Sequence, residues 1–134
     1  MRTSYVCPNC KSHLKVNEQI ILAAEKTNGQ KGLILLSPEL GNYKVFQHPS
    51  FVVNKGEYVK FYCPVCNVNL EDKSFSKHLA KILIYDEWNN KSELFFSEVA
   101  GEHCTYKKSE NQFEYYGEDS DSYLNHFGES PRYY

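Results

Sequence analysis

The sequence predicts a mainly β domain with little helix, in which a short antiparallel meander is inserted between two cysteine-bearing turns and an acidic tail follows. Three observations carry this. "CPNCKSHL" from Cys7 and "CPVCNVNL" from Cys63 repeat nearly the same eight residues. Between and after them, short apolar runs alternate with turn signals, the pattern of strands rather than of long helices. From Ser109 onward the charge reverses and the aliphatic residues thin out.

The elements can be justified in chain order. "YVCPNCKSHL" and "FYCPVCNVNL" align over ten positions, each with an aromatic or apolar lead-in and a Leu four places past the second Cys. Each reads as a strand end, a tight turn and a return, with Pro8 and Pro64 presetting φ inside the turn. "QIILAAEK" is a strand, Asn28-Gly29 a hairpin signal, and "LILL" the returning strand. "SPELGN" turns the chain into "YKVFQH". "FVV", a turn at Asn54 to Gly56, and "EYVKFYC" then lead back to the second cysteine pair, completing the meander. "EDKSFSKHLA" reads as a loop or a short helical turn. "AKILIYDEWNNKSELFFSEVAG" predicts a hairpin closing at Asn89-Asn90, and the bulk on both faces of its first strand (Ile82 and Ile84, Leu83 and Tyr85) places that strand centrally. "HCTYKK" adds a further strand.

Residues 1–108 therefore form the β domain, and 109–134 an aromatic-rich tail. The domain carries a formal charge of +3 and the tail −5, from Glu110, Glu114, Glu118, Asp119, Asp121 and Glu129 against Arg132. Its aromatics (Phe113, Tyr115, Tyr116, Tyr123, Phe127, Tyr133, Tyr134) come with few aliphatics, which predicts a docked edge followed by disorder. At 134 residues one domain with a modest core is expected.

Five cysteines occur, and four of them (Cys7, Cys10, Cys63, Cys66) form two C-x-x-C pairs. The N-terminus lacks the apolar segment of a secretory signal, which predicts a cytoplasmic, reducing location and free thiols or metal ligands rather than disulfides. Two such turns supply the four sulfurs of a closed tetrahedral zinc site. The 52 residues between Cys10 and Cys63 exceed the usual spacing. Lengthening the closed loop from roughly 17 to roughly 52 residues costs only on the order of 1 kcal/mol, against about 10–16 kcal/mol from structural zinc in small peptides. A long insertion is tolerated provided it folds on its own.

Over Tyr5 to Leu14 and Phe61 to Leu70 the chain resembles the zinc-ribbon group and, more loosely, the rubredoxin-like one. The resemblance implies an antiparallel, zinc-ribbon-like arrangement of the two knuckles and a metal held by Cys7, Cys10, Cys63 and Cys66. The metal is zinc in the first group and iron, for electron transfer, in the second. Those families typically carry Gly after the second Cys of each pair, where this chain has Lys11 and Asn67. Asn accepts a left-handed backbone more readily than Lys.

Other residues invite functional readings that weaken on inspection. His13 follows Cys10 closely, but four thiolates already complete a tetrahedral set. His103-Cys104 pairs a base with a thiol in sequence, yet neighbours on a strand point to opposite faces, so Cys104 is expected to be a buried structural thiol. No phosphate loop, nucleophile elbow or metalloprotease motif occurs, and the chain is expected not to be an enzyme. Lys55, Lys60, Lys73, Lys77 and Lys81, with His78, gather near the second knuckle, where Phe61 and Phe75 offer rings for base stacking. Against RNA binding, the formal charge is −2, and a zinc with four thiolates adds a further two negative charges. No apolar run reaches the roughly 18 residues of a membrane span. The expected function is a zinc-binding protein-interaction or regulatory module. An RNA- or ribosome-associated zinc ribbon and a small iron electron carrier are the alternatives.

Overall fold

The computed structural model describes residues 3–72, 78–110 and 112–119. Among them are ten strands and no helix. They are β1 Ser4–Val6, β2 Lys15–Val16, β3 Gln19–Lys26, β4 Lys31–Leu36, β5 Val45–Gln47, β6 Val59–Tyr62, β7 Leu79–Tyr85, β8 Lys91–Ser97, β9 Thr105–Lys108 and β10 Phe113–Tyr116. One sheet runs β1-β7-β8-β9-β10 and the other β2-β3-β4-β5, with β6 also on β3. Every pairing is antiparallel.

Alternation builds the core. In β3, Ile20, Leu22 and Ala24 are buried while the residues between them are less so, and Ile34 of β4 joins them from the register Leu22↔Ile34. From the other sheet Ala80, Ile82, Ile84 and Leu94 meet this face, with Val59 and Phe61 of β6 between, in one apolar cluster. β7 lies between β1 and β8, as the bulk on both its faces predicts. Its outward Leu79 packs with Phe95, Cys104 and Tyr106 in a second cluster.

The inserted segment differs from the predicted meander. β3, β4 and β5 follow one another as hairpins, but β6 returns beside β3 through the register Ala23↔Tyr62 to Lys26↔Val59. The order β6-β3-β4-β5 is a Greek key. "FVV" belongs to the connection 48–58, which Phe51 pins by burying its ring to 2% exposure. Gly32 makes room for it: a Cβ there would meet the Phe51 ring at 2.7 Å. Gln30 Nε2 donates to Ser50 O at 2.9 Å, and Lys26 Nζ donates to Val52 O. These bonds hold the connection against the β3–β4 turn.

The β7–β8 hairpin closes over residues 86–90. Asn89 takes a left-handed φ of 65°, and the Asp86 carboxylate accepts from the Trp88 and Asn90 N–H groups at 2.9 and 2.8 Å. β9 and β10 form the last hairpin, Phe113↔Lys108 to Tyr116↔Thr105, so the predicted boundary at 108/109 falls at its turn. Asp119 exchanges hydrogen bonds with His103, N–H to O in one direction and N–H to Oδ2 in the other, both 2.9 Å. The tail residues 120–134 lie outside the described residues.

Candidate metal centre

Each cysteine pair sits in a knuckle built by the same three backbone bonds. Cys7 N–H donates to Ser12 O (3.0 Å), Lys11 N–H to Cys7 O (3.0 Å) and Leu14 N–H to Tyr5 O (2.7 Å). In the second, Cys63 N–H donates to Val68 O (3.0 Å), Asn67 N–H to Cys63 O (2.9 Å) and Leu70 N–H to Phe61 O (2.8 Å). The sequence repeat is thus a structural repeat. Leu14 and Leu70, 1% and 3% exposed, plug the core behind the two turns.

Two strands bring the knuckles together. One edge of β3 takes β2, which leaves the first knuckle, at Ile20↔Lys15, and β6, which enters the second, at Ala23↔Tyr62. One edge of β7 takes β1, which enters the first knuckle, at Val6↔Leu83, and the segment leaving the second, through the bridge Glu71↔Ala80 and Lys81 N–H to Leu70 O at 2.8 Å. Each knuckle therefore begins on one sheet and ends on the other. The sulfurs meet where the two sheets join.

The four Sγ atoms of Cys7, Cys10, Cys63 and Cys66 all lie within 4.8 Å of one another. Cys7 to Cys66 and Cys10 to Cys63 are both 3.7 Å. A tetrahedron of metal–sulfur bonds of about 2.3 Å has edges of about 3.8 Å, so the set fits a tetrahedral thiolate-bound ion. The fold brings together the four cysteines of the two C-x-x-C pairs. All five cysteines are free thiols, and Cys104 stands apart from the cluster.

Hydrogen bonds to sulfur complete the site. Asn9 N–H reaches Cys7 Sγ at 3.3 Å, and the Val65 and Cys66 N–H groups reach Cys63 Sγ at 3.3 and 3.4 Å. Cys10 Sγ lies 3.2 Å from the Ser12 hydroxyl, which pulls its thiol down to about 6. The Asn9 side-chain amide donates across to Cys66 Sγ at 3.6 Å and lowers that thiol as well. Burial pushes Cys7 up to about 12, so it ionises readily only when a cation compensates. Asn9 and Ser12 are not singled out by the cysteine spacing. The signal lies in the positions where the repeats differ, since Val65 and Val68 stand opposite them with no polar side chain.

The remaining candidates fall elsewhere. His13 is exposed, on the return strand of the first knuckle. His103 stacks on Tyr43, centroids 4.6 Å apart, and its Nδ1 meets Glu118 at 3.2 Å. Cys104 is buried, raised to about 12 by that burial, and its S–H points at Glu102 Oε1, 3.7 Å away. Of the predicted lysine cluster, Lys55 and Lys60 are exposed, while Lys81 pairs with Asp72 at 3.6 Å and Glu93 at 3.3 Å. Lys73, Lys77 and Phe75 lie outside the described residues. Among the described residues no helix is long and apolar enough to cross a membrane.

A buried acid escaped the sequence reading. Glu98, 1% exposed, follows Leu94 and Phe96 in the inward parity of β8. Its Oε2 accepts from Phe61 N–H at 3.2 Å. Burial first, then the neighbouring Glu71 carboxyl, push it up to about 9. Compared with protein-family models, curated proteins and solved structures, the chain matches none, so the cysteine geometry carries its functional reading.

Proposed function

We propose that the protein is a non-enzymatic, zinc-binding interaction or regulatory module of the cytoplasm, with one zinc held by Cys7, Cys10, Cys63 and Cys66 as a structural clamp between its two sheets. The observation that carries it is the convergence of four sulfurs from two knuckles. Four thiolates fill a tetrahedral ion's coordination and leave no position for a substrate, which is the mark of a structural site. The arrangement is zinc-ribbon-like in its paired knuckles, with a Greek key in place of a short ribbon loop.

An interaction role is supported by the outer face of the inserted sheet. Leu33 and Phe46 are 53% and 51% exposed, and the register Ala23↔Leu33 and Leu35↔Phe46 puts them on one face, beside the edge of β5 that no strand among the described residues pairs with. RNA binding through Lys55 and Lys60 is the weaker reading, because Lys81 is already engaged by two carboxylates.

Elemental analysis of protein purified from its own cells tests the metal: one zinc per chain is expected. Iron with a visible thiolate charge-transfer band would move the reading to electron transfer, and metal-free folded protein would end it. For the role, tagged wild type and a Leu33→Lys, Phe46→Lys variant are compared as baits, with and without nuclease. A partner held by wild type, lost by the variant and indifferent to nuclease is expected. Retention that nuclease abolishes favours RNA.

A further inference from the structure

The space between the sheets is not filled by their side chains. A cavity of about 320 Å³ is walled by Ile34 and Leu36 of β4, Leu94 and Phe96 of β8, and Val59 and Phe61 of β6. It is distinct from the sulfur cluster, none of whose cysteines lines it. Its lining is graded from buried to exposed. Ile20, Ile34, Val59, Phe61, Ile82 and Leu94 are buried, whereas Glu39, Asn42, Lys44, Val45 and Gln47 are exposed. The stretch 39–47 is therefore where the chamber meets water.

The polar groups away from that mouth are engaged with their own neighbours. Tyr43 donates its hydroxyl to Tyr116 O at 3.0 Å and accepts from Thr105 Oγ1 at 3.2 Å. Ser97 Oγ donates to Glu102 Oε1 at 2.7 Å, and His103 is stacked on Tyr43 with its Nδ1 on Glu118. Glu98 accepts the Phe61 N–H on Oε2, lies against the Glu71 carboxyl, and keeps its Oε1 shielded from solvent. The inner end thus presents carbon. At the mouth, Glu39 and Lys44 place one charge of each sign beside the Asn42 and Gln47 amides.

We propose that this chamber binds a medium-chain aliphatic amphiphile, its hydrocarbon chain between the two sheets and its polar head at the mouth. Dry apolar chambers take up apolar molecules, and a cavity of this size with mainly apolar walls and a few polar groups is the form that small-molecule sites take. The chain carries the recognition, since each methylene removed from water strengthens binding about fourfold. The head carries little of it. Either sign of charge meets one like and one unlike partner there, in contact with water.

The test titrates zinc-loaded, full-length protein with n-hexanol, n-octanol, n-octylamine and n-octanoate below their micellar concentrations, reading the backbone amide resonances of Phe61, Leu94, Leu33 and Phe46. Saturable shifts at Phe61 and Leu94 are expected, with a Kd for octanol at least about fivefold below that for hexanol. The three octyl compounds should agree within about fivefold, as a mouth of mixed charge requires. Leu36→Phe, which fills part of the chamber, should raise the octanol Kd at least about fivefold. Val45→Trp, at an exposed position, narrows the mouth, should act in the same direction, and serves alone if Leu36→Phe does not fold. No saturable shift with octanol would identify a chamber holding water only and would overturn the proposal. Shifts confined to Leu33 and Phe46 on the outer face, equal affinity for hexanol and octanol, a wider spread among the three heads, or octanol binding that both variants leave unchanged would overturn it equally.

Discussion

Lys11 and Asn67 hold the same left-handed backbone, φ 62° and 63°, at matching places in the two knuckles. A left-handed conformation costs an L-residue with a Cβ roughly 1–2 kcal/mol, least for Asn. Lys11 meets that cost so that its N–H can reach Cys7 O at 3.0 Å and close the turn. Lys11→Gly should therefore stabilise the zinc-loaded protein by about 1 kcal/mol, and Asn67→Gly by less. Denaturant melts of the two variants check the order.

Cys63→Ser is expected to lose the metal and much of the tertiary structure, because Cys63 is fully buried and its Sγ lies 3.7 Å from that of Cys10. Cys104→Ala should retain one zinc and cost about 1 kcal/mol or somewhat more. Metal content and near-ultraviolet circular dichroism of the two variants separate the roles. Loss of zinc in Cys104→Ala would show that the ligand set is wrong.

The Cys104 thiol, buried and raised to about 12, should react with a disulfide reagent at neutral pH only as fast as the protein opens. Titration of zinc-loaded protein is expected to show no fast thiol from this residue. Comparison with Cys104→Ala identifies its share.

Much of the centre was legible in the sequence, for a physical reason. Both C-x-x-C turns are local, and the ten aligned residues, 5–14 and 61–70, contain both ends of the three backbone bonds that form the knuckle. The Asn28-Gly29 and Asn89-Asn90 hairpins were legible on the same ground. The partner of β6 was not. Val59–Tyr62 would alternate in the same way beside β5 or beside β3, and the choice is made by contacts distant in sequence: Phe51 over Gly32 and the bridge Tyr58↔Val99. Glu98 was hidden differently. It is one acid in "FFSEVAG", and only its shared parity with Leu94 and Phe96 marks it as inward.

That acid makes stability depend on pH with a defined sign. Its pKa is raised to about 9 in the folded protein, above its ordinary value near 4.3 when unfolded, so the native state binds the extra proton. Its contribution is full below the unfolded value and is lost as pH rises toward 9. Glu71, Tyr58, Tyr62 and Lys60 are the charged and titratable groups around it. Wild-type stability should fall between pH 5 and pH 9 in urea melts, by more than that of Glu98→Gln. Parallel profiles would refute the assignment.

Gly32→Ala should destabilise by about 1–3 kcal/mol through overpacking, since the new methyl would enter the Phe51 ring at 2.7 Å. Phe51→Ala is expected to cost about 3–5 kcal/mol. In the double variant the two penalties should sum to less than their separate values, because the clash requires both groups. Thermal melts of the three proteins give the cycle.

The crossing of each knuckle from one sheet to the other has a consequence for synthesis. Chains emerge at about 5–20 residues per second, and the four clustered cysteines, unlike Cys104, precede the first residue of β7, Leu79. When Cys66 appears, β3 alone is present to align the two pairs, so the ion can be captured by a half-built molecule. β7 would then dock along β1 and the segment after Cys66. A metal bound by the four cysteines in this order would act as a template, converting a closure between distant parts of the chain into the addition of a strand to a prepared edge.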